Sequence, residues 1–297
     1  MVSSYHSRLG VTDTRLHPCI LSLIACFGLI FWGQSVNANP EPGLSDAARP
    51  VEDAAKFHLK PKANPALPTI HLVGDSTMRV GTPGQRGWGD EFAAFCDTGK
   101  FNVVNQAIGG RSSRTFQTEG RWQAVLDTVQ KGDWVIIQFG HNDGGAINDK
   151  LRARGSLRGL GEEMQEIDNM LTGKREIVHT FGWYLRRYVS DVKARGATPI
   201  LFSYVPRNHW KNDKFVRAGP NSHAAWTQAL ARELQVTFVD HHEIICRELE
   251  SIGPEPTKAF FADTLHATTA GAKLNAKLAA RGLRDLSGNP LAIPPIP

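Results

Sequence analysis

The chain has 297 residues, of which 34 are Lys or Arg and 29 Asp or Glu, giving a formal net charge of +5 with 41% hydrophobic and 21% charged side chains. That is globular composition, and it excludes a disordered, collagen-like or disulfide-scaffold chain. The basicity is mild and no nucleic-acid-binding motif accompanies it, so no nucleic-acid partner is expected.

An apolar run at residues 19–32 is shorter than a membrane span and follows Arg8 and Arg15. It gives way to Gln34-Ser35-Val36-Asn37-Ala38-Asn39, where Val36 and Ala38 are side chains small enough for a signal peptidase pocket. Residues 1–38 are therefore expected to be a secretory signal cleaved after Ala38. The protein is then secreted or periplasmic, with no stable membrane partner. Leu23-Ile24-Ala25-Cys26 also fits an acylation signal, and an uncleaved anchor is the other alternative, but the run continues past Cys26, where an acylation signal would end. Residues 39–68 carry six prolines and no sustained apolar period, which reads as a linker.

Periodicity begins at Thr69. Strand-like runs at 70–73, 102–105, 134–139, 199–204 and 236–239 are separated by helical patterns at 122–129, 180–195 and 224–234, and a last helix is expected over 268–286. Alternation of this kind predicts an α/β domain at 69–286, a parallel sheet covered on both faces by right-handed crossovers. Ligands bind beyond the carboxyl ends of such strands. Residues 287–297 read as a tail. Cys96 and Cys246 are the cysteines left after cleavage; two exclude a four-cysteine metal site, and whether they pair stays open.

The segments that follow the strands are polar in a particular way. They are Gly74-Asp75-Ser76-Thr77-Met78, then Gln106-Ala107-Ile108-Gly109-Gly110-Arg111-Ser112, then Gly140-His141-Asn142-Asp143-Gly144-Gly145, and near the end Asp263-Thr264-Leu265-His266. A serine hydroxyl is a weak nucleophile until an imidazole takes its proton, so Ser76 needs a base that His266 can supply. A carboxylate such as Asp263 can set the tautomer of that imidazole and stabilise its charged form. The tetrahedral intermediate needs donors aimed at its oxygen, and the N–H groups of Ser76 and Gly110 and the Asn142 amide are available.

These four blocks resemble those of the SGNH, or GDSL-type, hydrolases. More narrowly, Gly74-Asp75-Ser76-Thr77-Met78, Gly87-Trp88-Gly89, Gly110-Arg111-Ser112-Ser113-Arg114, Glu119-Gly120-Arg121 and the block from Phe139 to Gly145 are similar to the rhamnogalacturonan acetylesterase branch. The resemblance implies a three-layer flavodoxin-like fold with a five-stranded parallel sheet. It implies an esterase acting on an acetylated plant cell-wall polysaccharide, rhamnogalacturonan or another pectin. Ser76 is then the nucleophile, Asp263 and His266 its partners, and Ser76, Gly110 and Asn142 the oxyanion donors, with no metal or organic cofactor. The competing readings are an esterase for another acetylated carbohydrate such as xylan, a non-catalytic carbohydrate-binding protein and a metal-dependent phosphodiesterase; the last lacks a clustered ligand set.

Other polar residues have plainer readings. Asp75, His141 and Asp143 are expected to brace turns. Asp240-His241-His242-Glu243 lacks the spacing of a helical metal site and reads as the solvated end of strand five. Arg152, Arg154, Arg158, Lys174 and Arg175 form charged surface or steer an anionic polymer. Trp210, with His209 beside it, either stacks on a sugar face or packs in the core, and Trp88 is expected in the core.

Overall fold

Short apolar runs rich in Val and Ile, bounded by Gly and Asn, form the strands at the centre of the molecule. The computed structural model describes residues 59–296; the expected signal sequence and most of the linker lie outside the described residues. In chain order the elements are β1 (Thr69–Gly74), β2 (Asn102–Asn105), α1 (Ser113–Thr118), α2 (Arg121–Leu126), β3 (Trp134–Gln138), β4 (Met164–Asp168), β5 (Arg175–His179), α3 (Phe181–Ala194), β6 (Thr198–Phe202), β7 (Trp210–Lys211), β8 (Lys214–Phe215), α4 (His223–Glu233), β9 (Thr237–Val239), α5 (His241–Ile252), α6 (Pro254–Thr257) and α7 (Thr269–Arg284). The main sheet is ordered β2-β1-β3-β6-β9 with every pair parallel. This is the flavodoxin-like order, and its switch point lies between β1 and β3, where a crevice opens beyond the strand ends.

Side chains alternate across the sheet. Ile70, Leu72, Ile136, Ile200 and Phe202 face a layer that contains Trp88, Phe92 and the buried sides of α5 and α7. Val73, Val135, Ile137 and Leu201 face α1, α2, α3 and α4 through Phe116, Trp122, Leu185, Tyr188 and Leu230. The result is three layers. Helix starts are defined by side-chain caps: Ser112, Thr180, Ser222, Asp240 and Thr268 each accept a backbone N–H from the first turn of α1, α3, α4, α5 and α7.

Four details differ from the sequence reading. The stretch from Asp240 to Glu243 is not a solvated strand end: Asp240 caps α5, and His241 and His242 are buried. Burial succeeds because each imidazole finds partners. His241 Nδ1 meets Gln138 Nε2 at 3.1 Å while Nε2 meets the Asn275 carbonyl at 2.9 Å, and His242 lies between the Ala218 N–H and the Tyr204 carbonyl. Within the charged segment 146–176, β4 begins an antiparallel hairpin with β5. Residues 60 and 64 are tied to the β2 region, Lys60 N–H to Gln106 Oε1 and Asn64 N–H to Asn102 Oδ1. At the other end Leu291 and Ile293 are buried in the α7 side of the core. Cys96 and Cys246 are free, and burial pushes each thiol up to about 12. Among the described residues no helix is long and apolar enough to cross a membrane, and no group of His, Cys, Asp or Glu is arranged to hold a metal ion.

Candidate active site

The turn after β1 is built by Asp75. Its backbone carbonyl accepts N–H bonds from Met78 and Arg79, and its Oδ1 accepts from the Thr77 N–H at 2.9 Å and the Thr77 hydroxyl at 2.8 Å. Burial pushes this carboxyl up to about 6 in spite of the Thr77 bonds. The Gly87-Trp88-Gly89 segment closes over the turn, with Trp88 N–H on the Thr77 carbonyl and Gly89 N–H on the Met78 carbonyl. A Cβ at position 87 would lie 2.3 Å from the Met78 backbone, so only glycine fits there. Below, Gln138 at the end of β3 accepts from Trp88 Nε1 at 2.8 Å and donates to the Ser203 carbonyl, which couples three loops.

Ser76 is thereby presented above the sheet. Its Oγ lies 2.9 Å from His266 Nε2, and His266 Nδ1 lies 2.7 Å from Asp263 Oδ2. Asp263 Oδ1 accepts the N–H groups of Leu265 and His266, both at 2.7 Å, and Gln85 Nε2 reaches Oδ2 at 3.1 Å. Burial raises the Asp263 carboxyl, but these N–H donors and the imidazole outweigh it, so it is held below the usual carboxylate range. With the Nδ1 proton shared with Asp263, Nε2 is left to accept the serine proton. The loop is anchored from outside by the Asn208 N–H on the Thr264 carbonyl and the Arg86 N–H on the Ala267 carbonyl.

Across the switch point stand the other two groups. Gly110 has φ of +77°, a backbone conformation that a side chain would strain. Asn142 is buried, and its Nδ2 donates to the Arg111 carbonyl at 2.8 Å, which fixes the amide plane and leaves its second N–H unspent on that bond. Asp143, buried beside it, accepts from the N–H and hydroxyl of Ser113 and from the Ser156 hydroxyl at 3.2 Å; burial pushes it up to about 6. It ties the start of α1 to the end of β3. His141 Nε2 donates to the Val205 carbonyl at 3.0 Å, and burial pushes the imidazole down to about 3.

The arginines of Gly110-Arg111-Ser112-Ser113-Arg114 and Glu119-Gly120-Arg121 are interior braces. Arg111 and Arg121 both meet Glu119, and Arg114 grips Glu176 through Nε and Nη2 at 2.8 Å while donating to the Ile147 and Gly155 carbonyls. Sequence reading missed this role, as it missed Gln138; a polar residue inside an apolar run was the available signal for the latter. Trp210 stands apart from the Ser76 cluster in its contacts: its ring packs on Phe215 with centroids 4.3 Å apart, and its Nε1 donates to Asn208. His209 is exposed beside it, its carbonyl taken by the Val216 N–H.

A serine hydroxyl hydrogen-bonded to an imidazole that is itself paired with a carboxylate is an arrangement suited to acyl transfer. Comparison with known proteins is consistent with that chemistry. The model of the GDSL-like lipase/acylhydrolase family matches residues 72–274. A rhamnogalacturonan acetylesterase of Emericella nidulans is 36% identical over 207 residues, 69% of this chain and 80% of that protein. The probable rhamnogalacturonan acetylesterase YesY of Bacillus subtilis is 33% identical over 230 residues, 75% of this chain and 94% of that one. A crystal structure of Bacillus subtilis YxiM superposes with a TM-score of 0.60 at 27% identity, covering 75% of this chain and 58% of that chain. The chain thus belongs to the GDSL-like lipase/acylhydrolase family, a family of carboxylic ester hydrolases.

Proposed function

We propose that this protein is an exported serine esterase that removes acetyl groups from rhamnogalacturonan or a related pectin. The observation that carries the reading is the continuous relay from Ser76 Oγ through His266 to Asp263, with contacts of 2.9 and 2.7 Å. In this scheme Ser76 Oγ attacks the acetyl carbonyl as its proton passes to His266 Nε2, and the carbonyl oxygen takes up negative charge. The N–H groups of Ser76 and Gly110 and the Asn142 amide stabilise that charge. His266 then returns the proton to the departing sugar oxygen, which leaves an acetyl-serine. Water, deprotonated by the same imidazole, releases acetate. Asp263 stays ionised and holds the imidazolium.

The polysaccharide assignment is supported by the relatives named as rhamnogalacturonan acetylesterases, and export by the signal-like start of the sequence. The test is acetate release from acetylated rhamnogalacturonan, acetylated xylan and para-nitrophenyl acetate, with Ser76→Ala as control. Pectin should be the preferred polymer and Ser76→Ala should abolish turnover on all three. Preference for xylan would overturn the substrate, and substantial activity of Ser76→Ala would overturn the mechanism.

A further inference from the structure

Most buried or half-buried guanidiniums beside the site have a carboxylate: Arg111 and Arg121 share Glu119, and Arg114 has Glu176. Arg154 has none within ion-pair distance among the described residues. It lies half-buried, and among the described residues it makes one hydrogen bond, from Nη1 to the Gly110 carbonyl at 3.2 Å. A guanidinium carries five N–H donors, and a partly desolvated cation that spends one of them on a neutral acceptor is short of an anion. Burial, with the like charges of Arg152 and Arg111, pushes Arg154 down to about 10, while Asp75 and Asp143 oppose this without pairing with it.

The segment that carries Arg154 is built to hold it there. Residues 146–155 leave directly after Asn142-Asp143 and are pinned shut by the Gly155 N–H on the Ala146 carbonyl and the Ser156 N–H on the Asp143 carbonyl. Asp149 Oδ1 accepts the N–H groups of Leu151 and Arg152, both at 2.6 Å, which turns the tip. Between the two arginines Ala153 is buried with φ of +39°, a conformation that costs an alanine about 1 kcal/mol or more. The loop thus sets the half-buried Arg154 against Gly110, with the exposed Arg152 two residues before it.

The geometry points to Arg154, assisted by Arg152, as the residue that recognises a carboxylate on the sugar chain next to the acetylated position. This inference rests on the polysaccharide-esterase reading above and adds to it the residue that distinguishes a free sugar carboxylate from its ester. A sugar carboxylate matches the guanidinium fork in a bidentate pair, which a lysine cannot reproduce.

The experiment compares acetylated rhamnogalacturonan oligomers with free galacturonate carboxyls against the same oligomers with those carboxyls methyl-esterified, using the full chain and the variants Arg154→Gln, Arg154→Lys and Arg152→Gln. Wild type should favour the free acid in kcat/KM by about tenfold or more, the scale of one charge-assisted pair, chiefly through KM. Added salt should erode that preference and leave the ester unchanged. Arg154→Gln should bring the ratio close to one, Arg154→Lys should fall between, and Arg152→Gln should reduce it less. An unchanged ratio in Arg154→Gln overturns the inference while leaving the esterase reading intact. If Arg154→Gln does not fold, a wild-type ratio near one that is insensitive to salt overturns it equally. If wild type hydrolyses para-nitrophenyl acetate but neither oligomer, the polysaccharide reading fails and this inference with it.

Discussion

Replacing Asn142 by Ala separates the rate contribution of this side chain from its structural one. Its amide has two N–H groups. One is committed to the Arg111 carbonyl at 2.8 Å, and the other is the proposed donor to the oxyanion. Removing one such donor costs roughly 10²–10³-fold in kcat, or about 3–4 kcal/mol at the transition state, with little change in KM because the charge it meets exists only there. The same substitution deletes a buried hydrogen bond and strands the Arg111 carbonyl, a loss of about 1–3 kcal/mol. At about 2–4 °C per kcal/mol for a domain of this size, the thermal midpoint should fall by roughly 2–12 °C and leave the enzyme folded at 25 °C. The assay is steady-state hydrolysis of para-nitrophenyl acetate at 25 °C, with the midpoint followed by circular dichroism. A folded Asn142→Ala protein whose kcat stays within about threefold of wild type would refute the assignment, since an oxyanion donor is worth far more than that.

Gly140→Ala should be costly: with φ of +144° and a Cβ that would lie 2.6 Å from the Tyr204 ring and 2.9 Å from His223 Cβ, it is expected to lower the thermal midpoint by several degrees, about 1–3 kcal/mol of strain. Acid should destabilise the fold. Burial pushes His141 down to about 3 and His223 and His241 to about 4, so between pH 6.5 and 4 the unfolded chain binds protons that the native state refuses. Asp75 and Asp143, raised to about 6, act in the opposite sense between about pH 4 and 6, but they are two against three; a midpoint that rises on acidification from pH 6.5 to 4 would contradict this balance. Cys96 and Cys246, with thiols near 12, should resist a disulfide reagent at neutral pH until the protein unfolds, and peptide mapping of labelled cysteines in the native state would detect the contrary.

The parts of the fold that were legible from sequence are those with an unmixed local signal. The residues of β1, β3 and β6 are buried on both faces, so they read as apolar runs. β4 and β5 were not legible because the only buried positions in them are Ile167 and Val178, too few to set a period. Helix α5 was misread for the opposite reason: His241 and His242 look like surface, and they become interior only because Gln138, Asn275, Tyr204 and Ala218 supply partners from other segments. Arg111 and Arg114 follow the same logic, fully buried charges whose carboxylates are 8 and 62 residues away in the chain. For the site, the strand-end positions of Ser76, Gly110 and Asn142 could be read from pattern. The path that brings Asp263 and His266 back to Ser76, 190 residues away from the histidine, has no period and is set by isolated bonds such as Asn208 to Thr264.

That asymmetry carries over to the physics of the site. In the proposed mechanism the serine and donor side is anchored in the sheet: Asp75, Asn142 and Asp143 are buried, and Gln138 and Ser113 join neighbouring loops beneath them. The base side is a surface loop in which the Asp263 side chain is 43% exposed and that of His266 24%, held by a handful of backbone bonds and by Gln85. A donor that must meet developing charge without reorganising is best placed on the rigid side. An imidazole that takes a proton from serine and later gives it to the leaving oxygen must serve two positions in one cycle, and a loop with few ties permits that small adjustment. Substitutions that stiffen or loosen the Gln85–Asp263 contact should therefore act on proton transfer, and those at Asp143 or Gln138 on the alignment of the donors.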